Sequence, residues 1–60
     1  MWSEMKLKKA GITIRTRTMA GKKGILRHEH QVVDGRKIVS RHVLFDDAMK
    51  AATAYVKAER

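Results

Sequence analysis

Arginine, glutamate and glutamine recur at alternate positions through much of this chain: Arg15 and Arg17, then Arg27, Glu29 and Gln31, and later Arg41. On extended backbone, residues two apart point to the same side, so each group makes one face of its own segment. The chemistry on offer is hydrogen bonding to base edges. Arg bonds bidentately to guanine, Gln to adenine, and Glu accepts from cytosine. Glu29 also has the chemistry to orient a neighbouring arginine. Lys22 and Lys23, between two such segments, and Lys6, Lys8 and Lys9, ahead of the first, sit where phosphates would run, while Lys37 alternates in step with Arg41; phosphate contacts position a protein and base contacts specify. The candidate binding set is Arg15, Arg17, Lys22, Lys23, Arg27, Glu29, Gln31, Lys37 and Arg41.

Other chemistry has thinner support. His28 and His30 share a face and His42 can join them, but a zinc site needs all three imidazoles within about 2.1 Å of one ion. Locally hydrogen-bonded histidines are the commoner outcome, so no metal is expected. A histidine cluster also titrates near neutrality, which would couple binding to pH. Asp46-Asp47 reads as a helix start rather than a carboxylate pair for metal-assisted hydrolysis. Ser3 and Ser40 have no evident base, and Gly21-Lys22-Lys23-Gly24 lacks the spacing and following hydroxyl of a phosphate loop. With no cysteine in the chain, disulfides, thiolate zinc sites and a Cys nucleophile are excluded. No enzyme activity and no cofactor are expected.

Three marks punctuate the chain: Gly11, the turn cluster Ala20–Gly24, and Asp34-Gly35, a two-residue hairpin signal. Between them Ile12–Met19, Ile25–Val33 and Arg36–Leu44 are rich in Ile, Val and Thr and free of proline, which predicts three strands. Connections this short make them an antiparallel meander. Asp46-Asp47 then supplies a favoured cap and dipole-matched charge for a helix running to Ala58. Ala48, Ala51, Ala52, Tyr55 and Ala58 form a small-residue stripe able to lie close to a sheet, widened by Met49 and Val56. The fold expected is α+β: a three-stranded antiparallel sheet with one C-terminal helix on one face, β-β-β-α. Residues 1–10 are expected to be a basic arm carrying Lys6, Lys8 and Lys9, although Ser3 is able to cap a helical turn. Residues 11–60 form the domain.

Register decides which side chains share the uncovered face. Leu26 and Val32 mark the core side of the second strand and leave Arg27, Glu29 and Gln31 outside. Arg15 and Arg17 face away from Ile12 and Ile14. A strict two-residue Asp34-Gly35 turn would put Arg41 beside His28, whereas a bulged turn would put it on the Arg27 side. The bulged register is preferred because it gathers the charges, and a one-residue slip reverses it.

Charge points the same way. The chain carries 14 Lys and Arg against 6 Asp and Glu, a formal +8. All of that excess lies in residues 1–44, while residues 45–60 are neutral. An electropositive surface on a neutral scaffold implies a polyanion, first of all nucleic acid. Only 60 residues, 13 of them Leu, Ile, Val or Phe, make a deep substrate pocket improbable. The longest apolar run, Val43–Phe45, is far short of the ~20 residues that span a bilayer. With no secretion signal in view, a cytoplasmic protein is expected.

The run Phe45-Asp46-Asp47-Ala48-Met49-Lys50-Ala51-Ala52-Thr53-Ala54-Tyr55 resembles the F-D-T-A-x-x-A-A-x-A-Y signature of the Apetala-type (ethylene-response-factor) DNA-binding domain, versions of which occur in phage and bacterial endonucleases. Three strands followed by a helix are also similar to the arm-binding domain of lambda-type integrases. The resemblance spans Gly11–Glu59 and is specific in the helix. It implies a sheet lying in the DNA major groove. Glu29 and Gln31 match a Glu-x-Arg pair of strand two, Arg41 matches a strand-three Trp, and Val39 a strand-three Arg. The strand tryptophans are missing, and Val43 stands where the family has a Gly two residues before the Phe. What carries over is the fold, not a target sequence.

The expectation is a small double-stranded DNA binder, a phage or mobile-element regulator or a recombinase-type module. The alternative is a small basic inhibitor that offers the same sheet to a host protein with an acidic, DNA-like surface. RNA fits less well, because the deep, narrow A-form major groove excludes a sheet.

Overall fold

Two nine-residue runs joined by a five-residue turn make the longest ladder of the fold. In the computed structural model, which describes residues 1–59, they are β1 (Ile12–Ala20) and β2 (Leu26–Asp34), with a short 3-10 turn at Lys22–Gly24 between them. They pair antiparallel without a break from Ile12↔Asp34 to Ala20↔Leu26. The third strand, β3 (Lys37–His42), pairs with the other edge of β2, giving the order β1-β2-β3. The C-terminal helix spans Phe45–Glu59. The α+β sheet-then-helix architecture is therefore as expected. Arg60, the last residue of the expected 11–60 domain, lies outside the described residues.

Residues 1–10 differ from expectation. Glu4–Lys9 is a helix, α1, and the C-terminal helix is accordingly α2. The Lys6 backbone N–H donates to Ser3 Oγ at 3.2 Å, a side-chain cap for an otherwise orphaned donor. Leu7 is completely buried and joins Ile12, Val32, Ala48, Met49, Ala52 and Val56 in one core cluster. Trp2 packs against that cluster, and its backbone N–H donates to the Thr53 hydroxyl at 3.1 Å. Lys6 lies 4.4 Å from the Trp2 ring centroid. A segment that reads as a charged arm is thus fastened to the core by Leu7, with Trp2 packed beside it. Three lysines hide that leucine from a pattern search.

The β2–β3 hairpin also departs from the expected turn. Its two central residues are Gly35 and Arg36, not Asp34 and Gly35, because Asp34 itself pairs with Lys37. Gly35 supplies the positive φ of 62° that the first central position requires. The extra residue is Val39, a bulge between the Val33↔Ile38 and Val32↔Ser40 pairs. A bulge switches side-chain parity. Arg41 therefore pairs with Gln31, on the side preferred from sequence, by a different route.

α2 lies over the face that carries Ile12, Ile14 and Val32. Its buried side is Ala48, Met49, Ala52, Thr53 and Val56. The expected stripe is right at Ala48 and Ala52, while Ala51 and Tyr55 border it and Ala58 is exposed. The helix starts at Phe45, so Asp46 and Asp47 occupy its first turn rather than its cap, where their charge still suits the dipole. Thr53 donates its hydroxyl to the Met49 carbonyl at 2.9 Å, which satisfies a buried polar group inside the helix. Tyr55 reaches across to the sheet and donates to Asp34 Oδ2 at 2.7 Å.

Candidate nucleic-acid interface

The face of the sheet opposite α2 is built by strict alternation on β1 and β2 and by the bulge on β3. Arg15, Gln31 and Arg41 lie abreast on the three strands. Arg17 pairs with Glu29 in the next row, and Met19 with Arg27 in the row beyond. Arg15, Arg17, Arg27 and Arg41 are all exposed. The outer strands stand about 10 Å apart at the usual ~4.8 Å strand spacing, inside a major groove about 12 Å wide. Along β1, residues two apart are separated by about 6.8 Å, roughly two base-pair steps of 3.4 Å. The face matches the groove in both directions.

Glu29 and Gln31 have an internal role. The Gln31 amide donates to Glu29 Oε1 at 2.8 Å, and the same carboxylate oxygen sits 3.4 Å from Arg41 Nε. Arg41 keeps 64% of its side chain exposed while Glu29 keeps 20%. The carboxylate therefore holds the base of the guanidinium and leaves its far edge facing outward. Gln31, at 1% exposure between Arg15 and Arg41, forms the floor of the face. It supports this row from beneath and is not presented as a base-reading side chain. Such an exposed ion pair is worth at most about 1 kcal/mol to stability, so its effect is orientation.

Lys37 leaves the set. It pairs with Asp34, whose carboxylate accepts from Tyr55 of α2, so strand alternation puts Lys37 on the helix side. The bulge at Val39 is the cause, and it brings Ile38 to the uncovered face in its place. Lys22 and Lys23 stand exposed in the β1–β2 turn, with Lys23 in the left-handed region at φ 60°.

The histidines line the helix side of the sheet, as the preferred register requires. His30 pairs with His42 across β2 and β3. Each ring nevertheless engages a hydroxyl: His28 Nδ1 with Thr18 at 3.2 Å, His30 Nδ1 with Thr16 at 2.9 Å, and His42 Nε2 with Ser40 at 2.8 Å. His30 also meets the Phe45 ring edge-on at 5.5 Å. Among the described residues no group of three or more His, Cys, Asp or Glu is placed to hold a metal ion.

One feature of this surface is not legible as a motif. β3 stops at His42, opposite His30, so the four pairs from Arg17↔Glu29 to Ala20↔Leu26 have no third strand beside them. They form a two-stranded ribbon exposed on both faces, and the molecule is correspondingly elongated, 43 × 22 × 18 Å. From residue 12 to residue 28 the chain has five Lys or Arg and no Asp or Glu. In sequence Val43 and Leu44 continue the strand pattern of β3. In the structure they are the exposed link that lets α2 turn back over the sheet.

No helix among the described residues is long and apolar enough to cross a membrane. Comparison with protein-family models, with curated proteins and with solved structures finds no match.

Proposed function

We propose that this chain is a double-stranded DNA-binding protein that lays the uncovered face of its sheet into the major groove. One observation carries the reading: Arg15, Arg17, Arg27 and Arg41, from three strands, emerge exposed on a single face whose width and rise fit that groove. Arg41, braced by Glu29, and Arg15 read base edges in one row. Arg17 and Arg27 extend the contact along the ribbon, and Lys22 and Lys23 meet phosphates at its end. The part played by Lys6, Lys8 and Lys9 is an electrostatic contribution from α1. The resemblance to Apetala-type and integrase arm-binding domains agrees with this use of a sheet, and suggests a regulator or a recombinase-type module acting in the cytoplasm on accessible duplex.

Selection from a randomised duplex pool at fixed salt tests the reading. A DNA reader enriches one sequence over bulk competitor, and Arg41→Ala relaxes the preference at one position. If no sequence is enriched, and the chain instead copurifies with an acidic protein that Arg27→Ala and Arg41→Ala release, the surface is that of an inhibitor and the DNA reading fails.

A further inference from the structure

The end of the β1–β2 ribbon is apolar as well as basic. Ile25 and Leu26 are each 64% exposed, Met19 is 39% exposed, and Ala20 is open to water beside them. None of the residues at this end belongs to the core cluster, and folding gains little from leaving three large apolar side chains in solvent. A closed turn sets their position. The Gly21 N–H donates to the Ile25 carbonyl at 2.6 Å, closing the turn, and a Cβ on Gly21 would stand 2.5 Å from that oxygen. Ile25 and Leu26 are therefore presented at a fixed point on a tight turn, with Lys22 and Lys23 beside them and Arg27 next in sequence.

We infer that this tip is a wedge that enters a base step and bends the duplex. The inference rests on the DNA reading above and deepens it. Proteins that kink DNA wedge apolar side chains such as Leu, Ile and Met between base steps, from the minor groove in the known cases, unstacking them and bending the duplex by roughly 20–90°, with Arg and Lys contacts alongside. Here both components occur on one turn. Reach is sufficient: the four pairs beyond β3 carry the tip about 14 Å past the three-stranded part at ~3.4 Å per residue, so it meets base steps beyond those under Arg15 and Arg41. Charge selects the occupant. With five cations and no acidic residue in 12–28, the tip repels a basic partner and a second copy of its own ribbon, and attracts a polyanion.

The test uses the full chain and a duplex of about 30 bp carrying the selected sequence, with its end-to-end distance read by energy transfer. Wild type is expected to shorten that distance. It is also expected to favour, by about tenfold, a duplex with a one-nucleotide gap at the contacted step, because the gap removes stacking that the wedge must break. Ile25→Ser/Leu26→Ser should keep the circular dichroism, melting and salt dependence of wild type, lose the shortening, and lose the preference for the gap. Lys22→Ala/Lys23→Ala should weaken binding while keeping the bend. Wild type that binds tightly and leaves the duplex at its free length overturns the wedge and spares the DNA reading. A double-serine variant that bends DNA like wild type but has lost a copurifying protein also overturns it, since the tip is then a protein contact. Wild type that binds no duplex overturns both.

Discussion

The two halves of the β1–β2 hairpin obey one pairing register and end in opposite circumstances. In the proximal half, Ile12 and Val32 are 2% and 0% exposed beneath α2. In the distal half, Thr18, Ala20, Leu26 and His28 occupy the same face of the same strands and are all exposed. The helix-side positions thus supply core at one end and surface at the other. What differs is cover: β3, α1 and α2 gather at the proximal end, and beyond Glu29, which Arg41 of β3 still reaches, the ribbon residues are exposed. Buried core and open surface are therefore separated along a single hairpin. The proximal half is where substitutions should unfold the domain, and the distal half is where they should change only what it binds.

The sharpest way to break that division is at the proximal contact between helix and sheet. Ala52 is fully buried, and Ala52→Glu would place an unpaired charge in the core at a cost on the order of several kcal/mol. That is comparable with the whole stability of a small domain, so the cooperative melt should disappear. A melting temperature within a degree or two of wild type would mean that the alanine stripe is open to water.

Next comes α1, whose charge suggests a binding role and whose packing says otherwise. Leu7→Ala should cost about 2–5 kcal/mol, since it empties a fully buried site. At roughly 4–8 °C per kcal/mol for a domain of this size, that is a large fall in melting temperature. Removing residues 1–9 should therefore destabilise the fold as well as weaken electrostatic binding. If the truncated chain melts like the intact one, α1 belongs with the ribbon and not with the core.

On the distal side the effect moves from folding to binding. Arg27→Ala should weaken binding to the preferred duplex by about 1–3 kcal/mol and leave melting unchanged. Lys22→Ala should instead lower affinity for all duplexes and reduce the log–log salt slope by about one. Lys57→Ala, on exposed α2, is the control and should do neither. A Lys22 variant that altered sequence preference would show that the turn reads bases.

The smallest effect sharpens the proximal side. The Tyr55 phenol is held above its ordinary pKa of 10.0, first by its hydrogen bond to the Asp34 carboxylate, then by partial burial and by the negative charges of Asp34 and Glu59. Because the folded state favours the protonated phenol, this contribution is fully present below pH 10 and is lost as pH rises through the raised value. Tyr55→Phe should lower the melting temperature slightly at neutral pH, and the gap between the two proteins should close in strong alkali. A gap unchanged by pH would mean that the hydroxyl contributes through packing alone.

Much of this was legible residue by residue. The alternation of Arg15 and Arg17 against Ile12 and Ile14 needs no partner to interpret, since backbone geometry alone puts them on opposite sides. Ala48 and Ala52 mark a close helix contact for the same reason. Leu7 was not legible, because a single apolar residue among lysines has no period to detect. Gln31 alternates in step with exposed Arg27, yet strands on both sides of β2 shut it beneath Arg15 and Arg41. Lys37 and Arg41 share a parity in sequence and lose it at the Val39 bulge.

By itself, then, the sequence determined the three strands and the helix, the side of β1 and of β2 on which each residue stands, and the concentration of positive charge in residues 1–44. These are consequences of local backbone geometry and composition, and they hold whatever the neighbours do. Only the tertiary structure decided the register of β3, the union of Arg41 with Arg15 across Gln31, the capture of Leu7 by the core and the free length of the ribbon. Each depends on where one element stops relative to another. β3 gives way to exposed Val43 and Leu44 just before α2 returns to cover Val32, and close packing between whole surfaces of this kind is recorded in no single stretch of residues.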